Sequence, residues 1–182
     1  MKRRNAIGLV VIGSAAPVMA QQHRHDPAGT PPAAPRFFSR ARFQLVELLA
    51  EMIVPSDAHS PGAREAGVAA FIDETAADST PQHQSEWTRG LDAVDAEAAR
   101  LHGKAFAACS PAQRDGILAA MAAGEDNPKT ALHRFFVLLK ARTISGYYTS
   151  STGLLKDLQY KGIVPLAAFP SCEHQEHPVK RR

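Results

Sequence analysis

The sequence predicts an all-α protein, a single small helical bundle or orthogonal array of about five helices. Three observations support this prediction. Alanine is abundant and runs of β-branched residues are short, which favours helix over strand. Apolar residues recur at steps of three and four within residues 37–168, as on an amphipathic helix. Ser-Pro and Asn-Pro pairs, which are typical helix starts, separate these stretches, and no convincing pair of strands is found.

The first two helices are predicted on either side of a turn. The first covers residues 39–54, because apolar residues recur there on one face: Phe43, Val46, Leu49 and Ile53. Pro55 ends it, since the residue before a proline is pushed out of the helical region. The second helix is predicted to begin with Ser60 as its N-cap and Pro61 in its first turn, and to stop before Pro81.

Three further helices are predicted in the second half of the chain. The longest covers residues 84–107, and its inward face consists of Trp87, Leu91, Val94, Ala98 and Leu101. A short helix begins at the Ser110-Pro111 pair and is closed by Gly124. The last begins at Asn127-Pro128 and loses its period at Gly146; its apolar face consists of Leu132, Phe135, Phe136, Leu139 and Ile144.

The first twenty residues have the layout of a secretory signal. Lys2-Arg3-Arg4 is followed by an uncharged apolar stretch, and small or modest residues precede a cleavage position after Ala20. Adjacent Arg3 and Arg4 favour the twin-arginine route, which carries folded cargo. Residues 5–8 lack the strong apolar residue of the fuller motif, so ordinary secretion is the alternative route. Either route predicts a periplasmic protein.

The segments that flank the helical domain are predicted to contribute little to its core. Residues 21–36 are rich in proline and polar residues, which predicts a disordered linker. Residues 169–182 form a polar, irregular tail. The formal net charge of +3 is carried by Lys2, Arg3 and Arg4, so the mature chain is near neutral. A near-neutral chain lacks the positive field that attracts phosphate, which argues against a nucleic-acid partner.

The two cysteines are Cys109 and Cys172. In an oxidising compartment two thiols commonly form a disulfide. Three arrangements are open: an intrachain bond that tethers the tail, a bond from Cys172 to a partner chain, or two unpaired thiols.

No set of residues predicts catalysis, cofactor binding or a metal site within this chain. Motifs for dinucleotides, redox cysteines, haem attachment and serine hydrolases are all absent from the sequence. The close pairs His23/His25 and His174/His177 lie in the linker and the tail, without the framework that a structural zinc needs. Acidic residues on the helices are interpreted as solubilising charges: Asp73, Glu74, Asp92, Asp95 and Glu97.

Three tyrosines near the C-terminus are candidates for a partner interface: Tyr147, Tyr148 and Tyr160. Tyrosine favours positions with one apolar side and one wet side, which interfaces provide. A place in the core is the equal alternative for each of them.

Several segments together resemble the gluconate 2-dehydrogenase subunit 3 family. The first group is LLAEMIVPSD at residues 48–57, SPGAREAGV at residues 60–68 and FID at residues 71–73. The second is GYYTS at residues 146–150 and LQYKG at residues 158–162, with Phe106 and Ser110-Pro111 between the groups. The likeness covers residues 37–165, essentially the whole predicted domain.

This resemblance implies the small subunit of a membrane-associated, periplasmic sugar or alcohol dehydrogenase. In such complexes a large subunit of the glucose–methanol–choline oxidoreductase type holds FAD, and a multihaem cytochrome c subunit commonly passes electrons to quinone. The small subunit typically carries the twin-arginine signal and supports export, folding and stability of the large one. The chain would then hold no cofactor, would not be an enzyme by itself, and would reach the membrane only through the complex. The alternative is a stand-alone periplasmic helical binding protein.

Overall fold

The computed structural model describes residues 34–163, and this part contains five α-helices, two shorter helical turns and no strand. The α-helices are α1 (Arg40–Ile53), α2 (Val68–Ala77), α3 (Pro81–His102), α4 (Pro111–Ala122) and α5 (Ala131–Thr149). A 3-10 turn (Phe106–Ala108) precedes α4, and a π-helical turn (Thr152–Asp157) follows α5. The all-α prediction is confirmed. The predicted signal, most of the linker and the polar tail lie outside the described residues.

Helix α5 is the centre of the arrangement, since it contacts each of the other four α-helices. Helix α1 also packs against α2 and α3, and α3 contacts α2 and α4. These contacts enclose one apolar core, whose largest fully buried side chains are Trp87, Tyr147, Phe106, Leu49, Ile72, Leu91, Ile117, Met121 and Leu139. The other four α-helices are therefore arranged around α5.

Four helices begin with a hydroxyl side chain that accepts a backbone N–H of the first turn. These N-cap residues are Ser39, Thr80, Ser110 and Thr130. At α4 the predicted Ser110-Pro111 start is confirmed, and Gln113 completes a capping box by accepting the Ser110 N–H at 2.9 Å. Helix α3 begins three residues earlier than predicted, because Thr80 caps it and Pro81 fits its first turn.

Two predicted helix starts are wrong. Residues Ser60 and Pro61 lie in a turn, and α2 begins only at Val68, after Gly67 with φ +72°. Glycine adopts this left-handed conformation without the steric cost of a Cβ, so the chain can change direction there. Asn127-Pro128 also precedes its helix rather than starting it, because Thr130 is the N-cap of α5.

The predicted end of α5 and the predicted environments of three helix residues are also wrong. Helix α5 does not stop at Gly146 but continues to Thr149. Leu101 and Ile144, both assigned to inward faces, are 46% and 39% exposed. Asp73, interpreted as a solubilising charge, is only 3% exposed.

The buried Asp73 carboxylate holds the segment that leads into α1. It accepts the backbone N–H groups of Arg36 at 2.6 Å, Phe37 at 3.1 Å and Phe38 at 2.8 Å. Phe38 is thereby held in the core, where its ring lies edge-on to Trp87 with centroids 5.9 Å apart. One carboxylate on α2 therefore fixes where the chain enters the domain.

Helices α3 and α5 approach closely where Gly90 lies under the ring of Phe135. A Cβ on Gly90 would overlap that ring. Gly90→Ala is therefore expected to lower the free energy of unfolding by about 1–3 kcal/mol through overpacking. Urea denaturation followed by far-UV circular dichroism measures this change.

Gly116, within α4, is the matched control because a Cβ there would meet no atom within 4 Å. Removing a helical glycine normally raises stability by roughly 0.5–1 kcal/mol, so Gly116→Ala should be more stable than the wild type. If both variants gain stability, the close approach of α3 and α5 at Gly90 is incorrect.

Candidate partner-docking surface

Helix α5 is apolar on two opposite sides. Its inner side is buried against the other helices and comprises Phe135, Phe136, Leu139, Thr143, Gly146 and Tyr147. Its outer side exposes Val137, Ile144 and Tyr148 by 37%, 39% and 39%. These residues are seven and four positions apart, so they line one face of the helix. A surface helix usually has a polar outer face, whereas this one exposes three large apolar side chains among polar residues such as Arg134 and Ser145.

The π-helical turn after α5 and the chain that follows it also expose apolar side chains. Leu155 and Leu158 are 57% and 56% exposed, and the chain beyond the turn exposes Tyr160 and Ile163. The turn lies so close to α5 that a Cβ on Gly153 would overlap the carbonyl oxygen of Tyr147. The Ser150 hydroxyl also accepts the Gly153 N–H at 3.0 Å. We call the large exposed apolar residues of α5, of this turn and of the position just after it the outer face: Val137, Ile144, Tyr148, Leu155 and Leu158.

The three tyrosines that were candidates for an interface lie in different environments. Tyr147 is fully buried, and its hydroxyl donates to the carbonyl oxygen of Pro61 at 2.7 Å. Tyr148 and Tyr160 are 39% and 47% exposed. Interaction with the Asp157 carboxylate, together with burial, raises the pKa of Tyr148 above its usual value. The structure thus places Tyr147 in the core and leaves the other two available to a partner.

The turn between α1 and α2 is held by carboxylates. Glu51 on α1 accepts the backbone N–H groups of Ser56 at 3.3 Å and Arg64 at 2.8 Å. Asp57 accepts those of Ser60 and His59, both at 2.7 Å, and these bonds lower the pKa of its carboxyl. Backbone groups that would otherwise need water are thus satisfied within the turn.

Gly62 lets this turn close onto α1. A Cβ at this position would overlap the Glu51 carboxylate, so any other residue would displace it. The adjacent Pro61 carbonyl is the acceptor for Tyr147, which lies 86 residues later in the chain. The turn is therefore connected directly to the buried side of α5.

Several residues predicted to be functional lie outside the described residues: Arg3, Arg4, Ala20 and Cys172. The disulfide alternatives therefore stay predictions. Cys109 is 2% exposed at the start of the Ser110-capped helix, and its thiol lies 3.6 Å from the carbonyl oxygen of Ala105. Within residues 34–163, no three His, Cys, Asp or Glu side chains lie close enough together to hold a metal ion. No helix of this part of the chain combines the length and hydrophobicity that crossing a membrane requires.

Sequence reasoning missed most of the outer face. Val137 and Leu155 were not singled out, Leu158 was noted only for the family resemblance, and Ile144 was assigned to the same apolar face as Phe135 and Leu139. The sequence did contain a signal for this face, because α5 has more apolar residues than a single inward-facing stripe needs. Val137, Ile144 and Tyr148 form a second series with helical spacing.

The fold and the outer face define a small all-α protein whose central helix has an unpartnered apolar side in the described chain. A family model for gluconate 2-dehydrogenase subunit 3 matches residues 40–165. The chain belongs to this family, whose members are small subunits of dehydrogenase complexes. No curated protein and no solved structure matches the chain.

Proposed function

We propose that this chain is the non-catalytic small subunit of a periplasmic, FAD-dependent sugar or alcohol dehydrogenase. In this proposal it supports export, folding and stability of a large flavoprotein subunit, much as a dedicated chaperone would. The large subunit, of the glucose–methanol–choline oxidoreductase type, would hold FAD and oxidise the substrate. A cytochrome subunit would hold haem c and connect the complex to the membrane.

The observation that carries this proposal is the outer face of α5. Five large apolar side chains are exposed on α5 and the chain just after it, and exposed apolar residues that group together commonly mark a place where another protein binds. Family membership gives the kind of assembly, because the matched family is a dehydrogenase subunit. The signal-like residues 1–20 with adjacent Arg3 and Arg4 support a role in export.

A helical subunit can stabilise a flavoprotein without taking part in its chemistry. Binding only the folded state of the large subunit shifts the folding equilibrium by about 2.7 kcal/mol when the small subunit is present at about 100 times its Kd. That stabilisation exceeds the effect of most single substitutions. No electron need pass through this chain.

The proposal is tested by removing apolar side chains from the outer face. In the double variant Leu155→Ser/Leu158→Ser, both altered residues are more than half exposed, so the isolated chain should unfold at the same urea concentration as the wild type. Full burial of a leucine contributes roughly 1.5–3 kcal/mol, and a little over half of each side chain is exposed here, so the pair contributes about 2–3 kcal/mol if the complex covers both. We therefore expect Kd for the large subunit to rise by about 100-fold. Co-purification of FAD with the tagged mature chain measures the loss.

Leu101→Ser is the matched control, because Leu101 is 46% exposed near the end of α3 and lies outside the outer face. It should recover as much FAD-containing large subunit as the wild type. Equal recovery with the double variant would contradict docking at the outer face. Bound flavin or enzymatic turnover in the isolated chain would contradict the non-catalytic role. A stable monomer that does not bind the large subunit would favour the alternative of a stand-alone binding protein.

A further inference from the structure

A pocket of about 430 Å³ lies between α3 and α5, beside the outer face. Its apolar lining consists of Gly90, Phe135 and Leu138. Two arginines also line it, Arg89 from α3 and Arg134 from α5. Arg134 precedes Val137 by three residues, so it lies next to the outer face on the same helix. The pocket and the apolar face therefore adjoin along α5.

Neither arginine of the pocket pairs with a carboxylate of the described chain, a property that Arg40, Arg114 and Arg142 share. Arg36, Arg42, Arg64 and Arg100 each form an ion pair with an aspartate or glutamate. Arg89 donates only to the Ser85 carbonyl at 3.3 Å, and Arg134 only to the Lys129 carbonyl at 3.0 Å. Both guanidinium groups therefore keep donors available for an anion.

The one acidic residue of the pocket is already engaged. Glu86 lies 3.2 Å from the Nδ1 atom of His83, on the same turn of α3. The Glu86 carboxylate is directed to His83, so the two arginines give the pocket a net positive charge beside its apolar lining. A carboxylate attached to an apolar surface fits this combination, since guanidinium groups bind carboxylates through paired hydrogen bonds.

We propose that the pocket receives an acidic side chain of the large subunit, next to apolar residues that cover the outer face. This inference rests on the proposed function and adds the chemistry by which the partner is recognised. Arg89 and Arg134 approach the carboxylate from two helices, which fixes the direction of the docked segment along α5. The apolar face supplies affinity, and the pocket supplies orientation and specificity.

The test compares two double variants of the mature chain that lose the same charge. Arg89→Gln/Arg134→Gln should raise the Kd for the large subunit at least about tenfold and weaken its dependence on salt. Arg64→Gln/Arg100→Gln removes two exposed arginines outside the pocket and should leave Kd within about twofold of the wild type. Isothermal titration at low and high salt gives both quantities.

A cross-linking experiment identifies the bound group. The Arg134→Lys variant keeps the positive charge and gives it a primary amine, which a carbodiimide couples to a carboxylate in contact with it. Mass spectrometry should find an amide between position 134 and an aspartate or glutamate of the large subunit. The same reaction on the Arg100→Lys variant should yield no link between position 100 and the large subunit.

The outcomes separate this inference from the proposed function. If the Arg89/Arg134 double variant binds as tightly as the wild type, the inference is overturned and the proposed function stands. If the wild type does not bind the large subunit, both are overturned. Binding of the chain to phosphatidylglycerol vesicles through Arg89 and Arg134, or self-association lost in the same variant, would also overturn it.

Discussion

Replacing Tyr147 by alanine is expected to lower the free energy of unfolding by about 3–5 kcal/mol. The side chain is fully buried on the inner side of α5, so its removal leaves a cavity among packed helices. It also removes the hydrogen bond from the hydroxyl to the carbonyl oxygen of Pro61. Urea denaturation of the mature chain, followed by far-UV circular dichroism, measures the change.

Two further substitutions separate the contributions of Tyr147. Tyr147→Phe keeps the ring and deletes the hydroxyl, so a loss of about 1–3 kcal/mol is expected for the unsatisfied carbonyl. Tyr148→Ala is the matched control, because the neighbouring ring is 39% exposed. It should cost much less stability and instead weaken binding of the large subunit. If Tyr147→Ala and Tyr148→Ala are equally stable, the assignment of Tyr147 to the core is wrong.

The second large effect is expected from Asp73→Ala. This change removes the acceptor for three backbone N–H groups, those of Arg36, Phe37 and Phe38. A buried donor left without a partner costs about 1–3 kcal/mol, so a loss of about 3 kcal/mol is expected for the set. Phe38 should also become mobile, because the carboxylate holds its backbone beside Trp87. Amide hydrogen exchange at residues 36–38 measures this loosening directly.

Asp78→Ala provides the comparison for Asp73→Ala. Asp78 bonds the same segment, through the Arg36 guanidinium at 2.9 Å, but both side chains are more than half exposed. An exposed ion pair contributes little to stability, so this variant should unfold close to the wild type. If both variants lost similar free energy of unfolding, negative charge near residues 36–38 would be the stabilising factor, and the buried hydrogen-bond acceptor would not.

The helices themselves could largely be predicted from local pattern. Ser39 and Ser110 act as caps through bonds that span three residues, so neighbouring sequence alone identifies them. The Ser60-Pro61 pair has the same composition yet lies in a turn. There the deciding contacts come from Glu51, from the 86-residue link to Tyr147 and from the left-handed Gly67. Such long-range partners are invisible to a local window.

The candidate surface was harder to predict for a related reason. A helix with apolar residues on two sides shows a continuous hydrophobic signal, and the sequence does not say which side the domain covers. Ile144 was assigned to the core on this signal, whereas Tyr147 and Tyr148 remained undecided between core and surface. Asp73 illustrates the converse error, because its buried role depends on N–H groups 35–37 residues earlier in the chain.

Trp87 is the chain's single tryptophan, and its position makes it a natural optical probe of the fold. It is 1% exposed, between the rings of Phe38 and Phe135, whose centroids lie 5.9 Å and 5.6 Å away. Its emission thus reports on the junction of the entry segment, α3 and α5, away from solvent. Loosening of that junction would admit water to the indole and shift the emission to longer wavelength.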